Sequence, residues 1–224
     1  MNDNVVNKKS FLSQVTEIVK TNIRNIIILL SLCFVLFLSF QIYSFYISNK
    51  IQKNSISFFA AQNTDDTNVI TDTITKLSND NTFYGVLAKL ELIDLTLKQN
   101  NIEDSISMYL EVINQNNLES VYKSAIASKA SYQLIDINFE NLSLNYLNII
   151  NDFISYIDDE TDSYKGIKLE LKYLIKILEV EKNSIDYSSF NEVNDIYENI
   201  MSSDVVSSAI TERVNKIHEF YSNK

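Results

Sequence analysis

The chain has no proline, no tryptophan, two glycines (Gly85 and Gly166), one cysteine and one histidine in 224 residues. Each scarcity excludes something. Strands need tight turns, and tight turns recruit glycine and proline, so a strand-rich fold is disfavoured. Two glycines cannot build a glycine-rich phosphate loop. The lone Cys33 cannot form a disulfide within the chain and reads as a small apolar residue. The lone His218 excludes a multi-histidine metal site, and no His-Glu-x-x-His or cysteine pair is present. A Ser–His–Asp arrangement would have to use His218 on the last helical segment, where a surface histidine is the simpler reading.

What the chain does have is one long apolar run. Ile26 to Ile47 reads IIILLSLCFVLFLSFQIYSFYI, 22 residues without a charged side chain. As a helix it reaches about 33 Å, enough for a hydrocarbon core of about 30 Å. A cleaved secretory signal has a shorter apolar core followed by a small-x-small site. Here the nearest such site, Phe58-Phe59-Ala60, carries a bulky Phe58 at the −3 position. An uncleaved anchor over residues 26–47 is therefore expected. Lys8, Lys9, Lys20 and Arg24 precede the run, and Lys50 and Lys53 follow it. The positive-inside rule places the N-terminus in the cytoplasm and the C-terminal bulk across the membrane, in the periplasm of a bacterium. Tyr43 and Tyr46 suit the outer interface. The polar Gln41 reads first as a residue near that interface, with contact to a partner helix as the other reading.

The expected organisation is a cytoplasmic tail over 1–25, the span over 26–47 and a helical domain over 48–224. Residues 1–47 hold four basic and two acidic groups, so the net charge of −10 leaves about −12 on the remainder. That acidic balance disfavours nucleic acid as a partner.

Beyond the run, apolar residues recur at steps of three and four, the signature of amphipathic helices. The stripes are Phe83–Leu97, Ile102–Ile113, Phe139–Phe153, Tyr164–Leu178, Phe190–Ile200 and Val206–Tyr221, with a weaker one through Leu118, Val121, Ala125, Tyr132 and Ile135. Eight helices are expected, near 66–79, 82–99, 102–115, 118–136, 140–157, 163–181, 189–201 and 204–221. The membrane helix runs on toward Ala61, and Phe11, Val15, Ile18 and Asn22 suggest an amphipathic lead-in. Asn101, Asn117, Ser163 and Ser189 stand at N-cap positions, Ser189 with Glu192 as a capping box.

The helices alternate with short connections. Ser105-x3-Tyr109, Leu142-x3-Tyr146 and Val193-x3-Tyr197 match the core of a tetratricopeptide repeat at its aromatic position, and Ala130 falls where two helices approach closely. The expected fold class is therefore all-α: a single N-terminal transmembrane helix followed by a degenerate tetratricopeptide-like repeat domain, with a plain helical bundle as the alternative. The tyrosines read as core. Asp158-Asp159-Glu160-Thr161-Asp162 lacks the alternating ligand pattern, central glycine and distal glutamate of an EF-hand, and reads as a solvated loop. Lys165, Lys168, Lys172 and Lys176, beside Glu170 and Glu179, read as a solvated face with ion pairs.

The run Phe83-Tyr84-Gly85-Val86-Leu87-Ala88-Lys89-Leu90, then Asn100-Asn101 and Ser105 to Tyr109, resembles the first repeat of the YfgM-like family of anchored periplasmic repeat proteins. The resemblance implies an inner-membrane protein ancillary to the Sec translocon and the periplasmic chaperone network. Its partners would be translocon subunits, periplasmic chaperones or client chains. The resemblance implies no catalytic residue, cofactor or metal. The expected function is a non-catalytic, membrane-anchored scaffold for protein interactions, with a general envelope-assembly or division scaffold as the alternative.

Overall fold

The computed structural model describes residues 11–116, 118–158, 162–184 and 191–223. Among these residues the chain forms nine α-helices and no strand. They are α1 (Phe11–Gln62), α2 (Thr67–Ser78), α3 (Phe83–Lys98), α4 (Ile102–Ile113), α5 (Ser120–Glu140), α6 (Leu147–Ser155), α7 (Asp162–Asn183), α8 (Asn191–Ser202) and α9 (Ser208–Ser222). Contacts divide the chain into two units, 1–85 and 86–224. The cap residues Asn117 and Ser189, the stripe residue Phe190, the tail through Lys8 and Lys9, and loop residues 159–161 lie outside the described residues.

The first unit is dominated by α1, 52 residues without a break. It is the one described helix long and apolar enough to cross a membrane. Its apolar residues from Ile27 to Tyr46 all face outward, Leu30 being 63% and Phe40 65% exposed. Past the apolar run the same helix acquires a buried side. Asn54, Phe58 and Ala61 are covered, as are Ile74 and Leu77 of α2, against which α1 packs. The turn after α2 is tied back to α1: Lys50 Nζ lies 2.7 Å from Asp80, and Asn54 Nδ2 donates to Asp80 and Thr82 at 2.9 and 3.0 Å. Burial pushes the Asp80 carboxyl up, but the hydrogen bonds from Lys50 and Asn54 outweigh it and hold the group below its ordinary value. The Tyr84 ring meets Phe58 and Phe59 at 6.0 Å.

In the second unit, α5 packs against α4, α6 and α7, and α7 packs against α6, α8 and α9. One apolar core joins α3 to α7, with Tyr109 and Phe153 edge to face at 6.0 Å. A second core joins α7, α8 and α9 around Tyr173, Ile177, Val193 and Val214. The weak stripe assigned to α5 is corrected. Val121 and Ala125 are exposed, while Ser124, Ala127, Ser128, Ala130 and Ser131 are buried. Small residues let three helices crowd α5. The serines satisfy their own hydroxyls, Ser128 donating to Ser124 O at 2.7 Å and Ser131 to Ala127 O at 2.8 Å. Small buried hydroxyls do not register as an apolar stripe.

A second correction concerns residues 140–157. Here α5 continues to Glu140, and α6 starts only at Leu147. Leu142 and Tyr146 therefore do not share a helix, so the middle match to the repeat core is not a helical pair. Asn138 and Asn141 explain the break. The buried Asn138 donates to Leu134 O at 2.8 Å and accepts from Tyr146 N at 3.4 Å, while the Asn141 side chain accepts from Ser143 N at 3.1 Å. Each offers the backbone a local alternative to the helix.

Helix ends show how the chain manages without glycine. Asn100 adopts φ 60° after α3, donates to Leu97 O at 2.8 Å, and is followed by Asn101 N to Thr96 O at 3.1 Å. This is a Schellman cap with asparagine in the left-handed position. Asp66 caps α2 through Asn68 N and Val69 N. Asn101 does hold the N-cap position of α4, but its amide donates to Asp104 at 2.5 Å instead of capping the backbone. Helix α7 begins at Asp162, one residue ahead of Ser163.

The two glycines differ in the space around them. A Cβ on Gly166 would touch Ile210 and Val206 at 3.4 Å, which is ordinary contact. A Cβ on Gly85 would lie 1.8 Å from the Asp80 carbonyl oxygen. Gly85→Ala must therefore push the 80–82 turn off α1, at a cost of about 1–3 kcal/mol. Thermal unfolding of the detergent-solubilised chain should show this as a lowered midpoint; an unchanged midpoint contradicts the close approach.

Candidate binding groove

An open, polar hollow lies on one face of α3 and α5 in the second unit. It is a cavity of about 430 Å³ lined by Glu91, Asp94, Leu97 and Lys98 from α3 and by Gln133, Asp136 and Ile137 from α5. Steps of three and four carry Glu91, Asp94 and Lys98 onto one side of α3, and the same steps carry Lys129, Gln133, Asp136 and Glu140 onto one side of α5. Leu97 and Ile137 supply apolar surface, since both pack on the core beneath.

Asp94 is the fixed point of the groove. Lys129 Nζ approaches it at 2.7 Å and Gln133 Nε2 donates to it at 3.0 Å. Gln133 is in turn held by the phenol of Tyr109 on α4, which donates to its amide oxygen. Burial, and then the charge of Asp94, push the Tyr109 phenol far above its ordinary value, so it remains a donor at all physiological pH. Tyr109, expected as core, is core with a polar tip that orients the groove floor. Asp136 stands at the rim. The groove walls, and then Glu140 one turn on, raise its carboxyl above the ordinary value. The excess of carboxylates over Lys98 and Lys129 makes the mouth acidic.

A second polar cluster ties α5, which carries one wall of this face, to α7 and α9. Glu170 of α7 is 2% exposed. Arg213 of α9 grips it with two hydrogen bonds, Nε at 2.9 Å and Nη2 at 2.8 Å, and Tyr132 of α5 donates to it at 2.6 Å. Burial, and then the hydrogen bond to Glu170, drive the Tyr132 phenol upward. This corrects the expected lysine face, because Glu170 turns away from the lysines to Arg213. Of those lysines, Lys176 pairs with Glu179 at 2.9 Å and with Glu192 at 2.8 Å. Lys168 donates to the Ile157 carbonyl at 3.0 Å, while Lys165 and Lys172 are exposed.

His218 is half-buried and stacks on Tyr197 at 3.7 Å; burial lowers its pKa. Among the described residues no group of three or more His, Cys, Asp or Glu side chains is placed to hold a metal ion. The groove can therefore hold a ligand by shape, apolar contact and carboxylate hydrogen bonds.

Of the groove residues only Leu97 and Tyr109 stood out in the sequence, both as apolar stripe positions. The available signal was the spacing of Glu91, Asp94 and Lys98, which matches any solvated helix face. Comparison with protein-family models, curated proteins and solved structures finds no match to the chain.

Two outcomes are expected. Arg213→Met leaves a buried carboxylate short of its cation. Arg213 is itself half exposed, so the loss is about 2 kcal/mol, below that of a fully buried pair. Adding Glu170→Gln should recover part of it in a double-mutant cycle read by denaturant unfolding. Asp136 has the opposite sign. Its folded pKa lies above its unfolded value of about 3.8, so its ionisation opposes folding at neutral pH and ceases to matter well below that value. Asp136→Asn should stabilise by up to about 0.5 kcal/mol at pH 7 and leave stability unchanged near pH 3.

Proposed function

We propose that the chain is a non-catalytic, membrane-anchored scaffold that binds segments of other proteins in the groove of α3 and α5. The groove is the observation that carries this reading. It combines apolar surface from Leu97 and Ile137 with oriented polar groups held between two helices, which is what a short peptide segment requires. The order of helix neighbours supports a repeat reading. Helices α5 and α7, and then α7 and α9, lie side by side, with α6 and α8 filling the second layer. Degenerate tetratricopeptide-like pairs arrange their helices in that way, and first helices of successive pairs line the binding face.

The anchor completes the proposal. With residues 26–47 across the inner membrane and the N-terminus in the cytoplasm, the groove works on the periplasmic side. Tethering raises local concentration, so individually weak contacts suffice. The family resemblance directs the first search toward Sec translocon subunits, periplasmic chaperones and their clients.

Mild-detergent purification at native expression should recover one of these proteins. Glu91→Lys with Asp136→Lys should lower that recovery about tenfold or more, because a charge facing its like inside a groove is strongly unfavourable. Recovery of no partner overturns the proposal, and undiminished recovery with the double variant removes the groove from it. An alkaline phosphatase fusion at the C-terminus should be active; a silent fusion contradicts the orientation.

A further inference from the structure

One face of α1 is mismatched to its surroundings twice. Leu38, Gln41, Phe45, Gln52, Ile56 and Phe59 follow steps of three, four or seven and so share a side of the helix. This side is opposite Asn54, Phe58 and Ala61, which pack toward α2.

In the apolar run, Gln41 sits six residues before Ile47, about 9 Å inside the end of the span. Ser39 satisfies its hydroxyl on the Val35 carbonyl at 2.9 Å. The Gln41 amide is exposed and has no partner among the described residues. An amide facing hydrocarbon without a partner is costly.

Past the apolar run the mismatch reverses. Ile56 is 63% exposed, and Phe59 is 51% exposed despite its edge contact with Tyr84. They lie nine and twelve residues beyond Ile47, about 13 and 18 Å along the axis. The headgroup layer adds only about 5–8 Å on each side. A tilt of about 40° still leaves both residues beyond it. Lipid therefore does not cover them.

We propose that this face of α1 pairs with the same face of a second copy of the chain, as a parallel two-helix dimer that continues from the hydrocarbon into water. The proposal rests on residues 26–47 crossing the membrane. Two copies with one topology run parallel, and a twofold axis between them brings Gln41 against Gln41. An amide is both donor and acceptor, so it is self-complementary across such an axis. Steps of three and four are the seam of a left-handed helix pair, and one polar residue in the seam sets its register. The contact is large enough. At about 100 Å² each, Leu38, Phe45, Ile56 and Phe59 give about 800 Å² over both copies, and Gln41 and Gln52 bring the total to about 1,200 Å², the lower bound for stable interfaces.

Oxidative crosslinking in native membranes tests the face, using the full chain with Cys33→Ser and one new cysteine. Gln52→Cys should give a covalent dimer readily, and Ser57→Cys, on the flank toward α2, should not. In mild detergent, light scattering should report the mass of two chains. Gln41→Leu should weaken association about threefold to tenfold without changing helix content. Ile56→Lys should weaken it as well.

Equal crosslinking at both positions, a monomeric mass, or crosslinks from Gln52→Cys only to a different protein would overturn the proposal. Release of the chain by alkaline carbonate refutes the span and the dimer together, whereas a membrane-retained monomer refutes the dimer alone.

Discussion

The second unit turns on one buried carboxylate. Glu170 lies in the middle of α7, the helix that both apolar cores share, and it is held from both sides, by Tyr132 of α5 and by Arg213 of α9. A carboxylate taken out of water is tolerable only when its lone pairs are filled, and here a bidentate guanidinium and a phenol fill them. The geometric requirement acts on three helices at once. Apolar packing alone would allow α5, α7 and α9 to slide past one another; the hydrogen bonds admit one register. The groove of α3 and α5 inherits that register, since α5 carries one of its walls.

The shortage of glycine and proline shapes the connections in the same physical sense. Asn100 takes a left-handed conformation that glycine usually fills, and Ser184 does so at φ 51°. Asn138 and Asn141 end one helix and delay the next through their own amides. Asparagine accepts these roles because its short side chain can bond the local backbone and offset part of the strain. Of the two glycines, Gly85 meets a demand that no Cβ could satisfy, whereas a Cβ on Gly166 would make ordinary contact.

The two units divide the work. The first is a continuous helix whose far end is clipped to α2 through Lys50, Asn54 and Asp80. It carries the stretch long and apolar enough to cross a membrane and the proposed self-association face. The second carries the groove. Its floor is preset by Tyr109, Gln133 and Asp94, so a guest would meet an ordered surface. At its rim Asp136 carries a charge its surroundings resist.

Local rules made much of the fold legible. A 22-residue uncharged run has to be helical in lipid, because no other single segment satisfies its own backbone there. Steps of three and four announced the helices from α3 to α9, and the absence of proline and scarcity of glycine turned those stripes into an all-helical chain. The sequence failed where the deciding contacts were distant in the chain or chemically quiet. Ser124, Ser128 and Ser131 look like a polar face and are buried, because small residues let neighbours crowd α5. Leu142 and Tyr146 have helical spacing and sit off the helix, because Asn138 competes for the backbone. Glu170 looks like a partner for nearby lysines and instead binds Arg213, 43 residues away. The groove has the same origin: Asp94 on α3 meets Gln133 on α5 only after folding has closed 39 residues of chain between them. Periodicity reports which side of a helix is apolar. Which helix that side meets, and which charge it brings along, is decided by packing in three dimensions.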